Sequence, residues 1–231
     1  MTGNGKRDFC YYKLMAVHNK SDTLLARWRA TDPAFKAFLL GVFFLGMNSG
    51  VLSSALNNYL NDSFTLTSQQ RGFLEFPREL PGALVIFVTG LLAALSVRRW
   101  AIITGLLTAA GVAGLGFLSP AYRPMLLWML VWSFGSHLFM TVESVMGLRF
   151  AKEGGQGRRL GQISGMTNFA AIAGAGFVWL MAKAAGPALY KAAFTFAAAA
   201  SLISAYLFSR IPEAGDTERP GKKRFVFRRA Y

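Results

Sequence analysis

Apolar residues fall into six long stretches, separated by short polar segments, along the 231-residue chain. The stretches cover about residues 36–60, 72–97, 100–118, 125–148, 161–183 and 190–210. A helix needs about 20 apolar residues to cross a hydrocarbon core ~30 Å thick, and each stretch reaches or approaches that length. The pattern therefore predicts an all-α integral membrane protein with six transmembrane helices.

Polar segments flank the predicted helices at both ends of the chain. Residues 1–35 are predicted to form a cytoplasmic N-terminal segment, residues 36–211 the transmembrane bundle, and residues 212–231 a basic cytoplasmic linker or tail. Asp32 and Pro33 mark the entry to the first helix, because proline is tolerated in a first helical turn. The sequence thus predicts one membrane-embedded domain between two polar segments.

Basic residues are sorted between the two sides of the predicted bundle. Most lie in the N-terminal segment, in the loops between helices 2 and 3 and between helices 4 and 5, and in the tail. The opposite side carries five of the 25, namely Arg71, Arg78, Arg123, Lys183 and Lys191. Cytoplasmic loops of membrane proteins are rich in Lys and Arg, so both termini are predicted to be cytoplasmic.

The net charge of +14 does not change this interpretation. A strongly basic chain is one signature of nucleic-acid binding, but here the basic residues lie in loops and tails beside apolar spans. Membrane topology accounts for such a distribution, so no nucleic-acid partner is predicted. The expected surroundings are a lipid bilayer, in the inner or plasma membrane of a cell.

The sequence contains no motif typical of an enzyme or of a cofactor site. HExxH, Walker and dinucleotide-binding glycine motifs are absent, and no set of carboxylate, His and Ser residues is evident. The single cysteine, Cys10, excludes an internal disulfide and a CxxC-type metal site. We therefore expect no catalytic residues, no metal and no cofactor.

Helix 2 contains a cluster of charged residues in its outer half. Glu75 and Arg78 are three residues apart, so they are predicted to pair on one helix face, and Glu79 follows Glu75 by one turn. Two prolines, Pro77 and Pro81, loosen this part of the helix by removing backbone donors. Two interpretations remain open: a neutralised cluster at the outer mouth, or a charge group linked to a substrate or a proton.

Helix 4 contains two further ionisable residues, His137 near its middle and Glu143 about two turns closer to the cytoplasm. Six residues at ~100° each place them on different faces of the helix. His137 is either a hydrogen-bonded packing residue or a group that titrates near neutral pH. An unpaired buried carboxylate is costly, so Glu143 is expected to be neutral, to meet a base such as Arg149, or to line a cavity.

Predicted helices 1 and 5 contain asparagine and glycine residues of interest. Asn48 lies at the centre of helix 1 and Asn168 in helix 5, and both are candidates to line a substrate cavity. Amides in membrane helices often only join neighbouring helices, but Asn48 is the preferred ligand candidate among the uncharged residues. Gly161 and Gly165 form a small-xxx-small pattern, which predicts close helix packing.

The loop between helices 2 and 3 carries part of a known family motif. The family pattern is Gly, three residues, Asp, Arg, any residue, Gly and two basic residues; Gly90, Arg98 and Arg99 match its first and last positions. The acidic position is Ala94, and the second Gly is Val97. With its six helices, cytoplasmic termini, longer basic loop between helices 4 and 5 and basic linker, the chain resembles the N-terminal half of a major facilitator superfamily transporter.

This resemblance implies two inverted three-helix repeats, with a central cavity lined by helices 1 and 4. It favours Asn48, His137 and Glu143 as cavity residues. An offset of 89 residues between helices 1 and 4 places Gly46 on Gly135 and Asn48 on His137.

The function that the resemblance implies is secondary active transport of a small solute by alternating access, with proton coupling as one form. A second six-helix half would then complete the site. The alternative is a self-contained six-helix membrane protein that acts as a homodimer or as a non-transporting scaffold.

Overall fold

The computed structural model describes residues 28–92, 95–184 and 188–213. They form six helices and no strand, which confirms the predicted all-α fold. The helices are α1 (Pro33–Phe64), α2 (Ser68–Leu92), α3 (Val97–Phe117), α4 (Tyr122–Arg149), α5 (Gln156–Ala184) and α6 (Leu189–Ser209). Each predicted apolar stretch falls on one helix. Most of the N-terminal segment and most of the basic tail lie outside the described residues.

Five of the six helices are long and apolar enough to cross a membrane, namely α1, α3, α4, α5 and α6. The protein is therefore an integral, multi-pass membrane protein. The exception is α2, which contains the predicted charge cluster together with Pro77 and Pro81. The structure thus supports five of the six predicted spans by length and composition, and it shows the remaining one as a helix of 25 residues.

Local sequence signals set several helix ends. The Asp32 carboxylate accepts a hydrogen bond from the Ala34 amide at 2.8 Å, and Pro33 occupies the first turn of α1. Thr65 ends α1 in the left-handed conformation with φ 43°. Ser96 caps α3, so the predicted second stretch, which extended to residue 97, runs too far.

Four helices, α1, α3, α4 and α6, each pack closely against two neighbours. The first, α1, packs against α5 and α6, while α4 packs against α3 and α2. The bundle is closed by packing of α3 against α6, and smaller contacts join α5 to α4 and to α6. The close contacts therefore follow the spatial order α5, α1, α6, α3, α4 and α2.

Glycines permit very close approach between α1 and α5. A Cβ atom at Gly50 would overlap the carbonyl of Ala171, and one at Gly174 would overlap the carbonyl of Met47. A small residue at these positions lets the backbones touch, as in other closely packed membrane helices. The predicted packing glycines, Gly161 and Gly165, differ: no atom of the described residues lies within 4 Å of a Cβ built at either.

The core consists of two apolar clusters at opposite ends of the bundle. One cluster includes Val51, Leu115 and Phe194, and the other includes Phe38, Leu138 and Phe208. Between them on the helices lie the buried polar residues of the described part, Asn48, Thr104, Thr108, Ser133, Ser201 and Ser204. We call these six residues the polar layer.

Candidate functional site

A central cavity of about 200 Å³ lies at the level of the polar layer. Residues of α1, α3, α4 and α5 form its walls, and Ser49 and Met140 at its edge are exposed. The lining residues are Leu45, Gly46, Asn48, Ser49, Thr108, Trp132, Ser136, Phe139, Met140, Glu143 and Thr167. Of the predicted cavity residues, Asn48 and Glu143 are therefore brought together here.

Glu143 is the ionisable residue in the cavity wall. Its carboxylate accepts a hydrogen bond of 2.7 Å from the Thr167 hydroxyl on α5. Throughout the described ranges, no Lys, Arg or His side chain lies within 4.0 Å of it, so the expected alternative of an ion pair with Arg149 is not what the structure shows. Of the three expected environments for Glu143, the structure thus shows the cavity wall.

Asn48 joins α1 to α6 in addition to lining the cavity. Its side-chain nitrogen donates to the Ala197 carbonyl at 3.1 Å and to the Ser201 hydroxyl at 2.9 Å. An amide nitrogen has two hydrogen atoms, so both donors of Asn48 are used. The side chain that sequence reasoning favoured as a ligand therefore also has a structural role.

His137 lies outside the central cavity and faces α2. Its ring packs against Gly82, and its Nε2 atom lies 3.8 Å from a carboxylate oxygen of Glu79. On the same face, the Ser133 hydroxyl donates a hydrogen bond to the Arg78 carbonyl. The structure thus groups His137 with the charges of α2 and separates it from Glu143.

The charge cluster of α2 forms a second site, at the end of the bundle opposite the loop between α2 and α3. Arg78 lies 3.3 Å from Glu75, as the i,i+3 spacing predicts, and 3.6 Å from Glu79. A second cavity, of about 280 Å³, is lined by Glu75 and Arg78 together with Arg71 and residues of α1 and α4. All three paired side chains are substantially exposed, so screening by solvent keeps the contribution of these pairs to stability small.

Asn168 also lies outside the central cavity. Its side chain is exposed on α5 and donates to the Ser164 carbonyl, one turn earlier, at 2.9 Å. The neighbouring Thr167, which the prediction passed over, is the α5 residue that reaches Glu143.

The sequence also matches a known protein family. A family model described as Major Facilitator Superfamily matches residues 38–230. The chain belongs to the major facilitator superfamily. It is therefore a multi-pass membrane transporter, and the resemblance seen in the sequence is confirmed. A search of curated proteins gives no match.

The superfamily motif in the loop between α2 and α3 has an acidic partner elsewhere in this chain. Arg99 lies 3.3 Å and Arg98 4.0 Å from a carboxylate oxygen of Glu213, beyond the end of α6. The Ser96 hydroxyl donates to the same oxygen at 3.1 Å, and Arg98 also donates to the Ser209 carbonyl at 2.8 Å. The motif's basic residues therefore tie the start of α3 to the end of α6. Gly90, the motif's first residue, lies in the last turns of α2.

Glu213→Gln is expected to lower the thermal midpoint of the purified transporter by about 1–4 °C at low salt, because it removes a partly exposed ion-pair network. The difference should shrink as salt screens the charges, and a titration of the midpoint from low salt to 1 M salt measures it. Glu153→Gln, at an exposed loop position, is the matched control. An equal loss in that control, or a loss that persists in 1 M salt, would contradict the assignment.

Several residues of the central cavity were not predicted from the sequence. Thr167, Trp132, Phe139 and Ser136 are ordinary components of apolar membrane helices. Their spacing identifies a helix face, but which faces meet depends on contacts between helices far apart in sequence. One signal in the sequence could have indicated Ser136. It lies four residues after Trp132 and directly before His137, in a polar stretch of α4.

Proposed function

We propose that this superfamily member is a secondary active transporter that moves a small solute by alternating access, with the central cavity as part of its substrate site. The observation that carries the proposal is the position of Glu143. A carboxylate without a basic partner in the described structure lines a cavity together with Asn48 and Thr108 of the polar layer. Ionisable residues inside membrane bundles commonly mark substrate or ion pathways.

The helix contacts support an arrangement of two inverted three-helix repeats. Exchange of α1, α2 and α3 with α4, α5 and α6 leaves the set of large contacts unchanged: α1 with α5 corresponds to α4 with α2, and α1 with α6 corresponds to α4 with α3. Transporters of this superfamily are built from such repeats. In this arrangement, with the charge bias of the loops, both termini are cytoplasmic.

Individual contacts of α1 and α4 support the same repeat at an offset of 87 residues. Gly50 packs on α5, and His137, 87 positions later, packs on α2. Gly41 packs on α6, and Trp128 packs on α3. The offset of 89 residues suggested by the sequence fits less well, because it pairs Gly46, which packs on α5, with Gly135, which packs on α3.

A second six-helix bundle is proposed to cover the open side of the cavity. Ser49 and Met140 leave the cavity edge exposed. Substrate sites in this superfamily lie where two bundles meet, near the middle of the membrane. The covering bundle is either a second half or a second copy of this chain, and the cell's inner or plasma membrane is the proposed location.

Access to Ser49 tests this mechanism without knowledge of the substrate. The sole cysteine is replaced by Cys10→Ser, and Ser49→Cys then places one thiol at the cavity edge. A membrane-impermeant maleimide is applied to right-side-out and inside-out vesicles. Because alternating access opens the cavity to each side in turn, Ser49→Cys is expected to react from both sides.

Two variants report sidedness in the same background. Asn57→Cys, at the second cavity beside the charge cluster of α2, is expected to react from outside only, and Glu153→Cys, in the loop before α5, from inside only. Reaction of Ser49→Cys from a single side, or from neither, would contradict alternating access and favour a non-transporting scaffold. Reversed labelling of the two control variants would contradict the proposed orientation.

A further inference from the structure

Three hydroxyl groups of the central cavity have already used their hydrogen-bond donor, whereas the indole N–H of Trp132, which also lines the cavity, is buried without a partner among the described residues. The Ser136 hydroxyl donates to the Trp132 carbonyl at 3.1 Å, and the Thr108 hydroxyl donates to the Thr104 carbonyl at 2.8 Å. The Thr167 hydroxyl donates to Glu143. A hydroxyl carries one hydrogen atom and two lone pairs, so each of these groups retains only acceptor capacity.

Asn48 also presents an acceptor rather than a donor to the cavity. Both hydrogen atoms of its amide nitrogen are directed to α6, so the group that remains for a ligand is its carbonyl oxygen, an acceptor. The ionised form of Glu143 is also a pure acceptor. Acceptor oxygens in the cavity wall thus outnumber its buried free donors, of which the described residues show the Trp132 indole N–H, so the wall suits a molecule that mainly donates hydrogen bonds.

The negative charge in the cavity wall favours a positively charged ligand. Glu143 is the ionisable residue that lines the cavity, and no basic side chain of the described helices and loops lies within 4.0 Å of its carboxylate. Burial of an ion is costly unless a partner compensates it, and a positively charged ligand supplies that partner. An anionic ligand would instead meet a like charge.

Two aromatic residues complete this environment. Trp132 and Phe139 both line the cavity, on the same helix as Glu143. The faces of aromatic rings attract ammonium groups, most strongly for Trp. A carboxylate, several acceptor oxygens and aromatic rings thus share one cavity of about 200 Å³.

We propose that the solute is a small organic cation that carries a protonated amine, with its charged nitrogen bound at Glu143. Its N–H groups would donate to the Glu143 carboxylate and to the acceptor oxygens of the wall, and its apolar part would lie against the aromatic residues. This inference rests on the proposed function in one respect, namely that the central cavity is the substrate site. Neutral alcohols and organic anions are the competing classes, and the following experiment separates them.

Two sets of probes with matched carbon skeletons test the charge preference. The first set is phenethylammonium, 2-phenylethanol and phenylacetate, and the second is butylammonium, butan-1-ol and butyrate. Binding of each to the purified full chain in detergent is measured by isothermal titration calorimetry. Each ammonium ion is expected to bind at least about tenfold more tightly than its alcohol, the difference that one charge-assisted hydrogen bond supplies.

Variants of Glu143 assign this preference to the cavity. Glu143→Gln keeps the side-chain shape and is expected to abolish the preference for the ammonium ions, whereas Glu143→Asp keeps the charge and should retain part of it. Glu153→Gln removes an exposed carboxylate elsewhere and should leave it intact. Thermal midpoints of all three variants show whether the fold is preserved, and Glu143→Asp remains informative where Glu143→Gln does not fold.

The proposal is overturned where an alcohol or carboxylate binds as tightly as its ammonium counterpart, or where Glu143→Gln leaves the preference unchanged. The absence of a cation preference can be distinguished from the absence of alternating access. Labelling of Ser49→Cys from both sides without a cation preference would retain alternating access and reject this solute class. A cation preference with labelling from one side would retain the binding chemistry and reject alternating access.

Discussion

Gly50→Ala is expected to destabilise the bundle by about 1–3 kcal/mol, the range for overpacking of a well-packed interior. The added Cβ would overlap the carbonyl of Ala171, a backbone atom of α5 that cannot move without shifting the helix. Since α5 also contributes Thr167 to the central cavity, displacement of this helix should weaken its bond to Glu143. The thermal midpoint of the purified protein, measured by intrinsic fluorescence, checks the loss.

Gly165→Ala is the matched control for this prediction, because the substitution and the membrane-helix setting are the same. No atom of the described chain lies within 4 Å of a Cβ at Gly165, so a methyl group fits there. Alanine also favours the helix over glycine by about 1 kcal/mol. Gly165→Ala should therefore keep or raise the thermal midpoint, and equal losses in the two variants would show that the close contact at Gly50 is not the cause.

Asn48→Ala is expected to cost about 1–2 kcal/mol of stability. The change removes two hydrogen bonds between α1 and α6, and such bonds in membrane proteins contribute up to about 1.7 kcal/mol each. The loss is limited because the Ser201 hydroxyl still donates to the Ala197 carbonyl. Unfolding of the purified protein in increasing SDS measures the difference.

Asn168→Ala provides the control for the loss of an amide. Asn168 is exposed, and its bond to Ser164 lies within a single helix, so the variant should unfold close to the wild type. A double-mutant cycle of Asn48→Ala with Ser201→Ala then isolates the interhelical contact. The predicted role of Asn48 would be wrong where Asn168→Ala costs as much, or where the cycle shows no coupling.

Hydrophobic length and charge spacing were sufficient to predict the helices. Six apolar stretches correspond to six helices, and the three-residue spacing of Glu75 and Arg78 gave their ion pair. Both features depend on local geometry, which the sequence contains directly. The same local reasoning located the charges that distinguish α2 from the other five helices.

Contacts between helices could not be predicted in this way. The residue that bonds Glu143 is Thr167, 24 positions away on α5, and the partner of Arg99 is Glu213, far along the chain. Periodicity shows which residues share a helix face but not which face another helix covers. For this reason Asn48 was an equally good candidate for a ligand and for a bond between helices, and Gly161 and Gly165 were taken for packing residues.

The polar layer has a consequence for biosynthesis. Most of its hydroxyl groups bond within their own helix, as Thr104 does with the Ala101 carbonyl, so they are paired as soon as that helix forms. Asn48 differs, because its acceptor on Ala197 lies 149 residues later in the chain. At about 5–20 residues per second, the ribosome needs roughly 10–30 s to reach it. During that interval α1 lacks its α6 partner, and a chaperone or translocon contact that shields its amide would favour correct assembly.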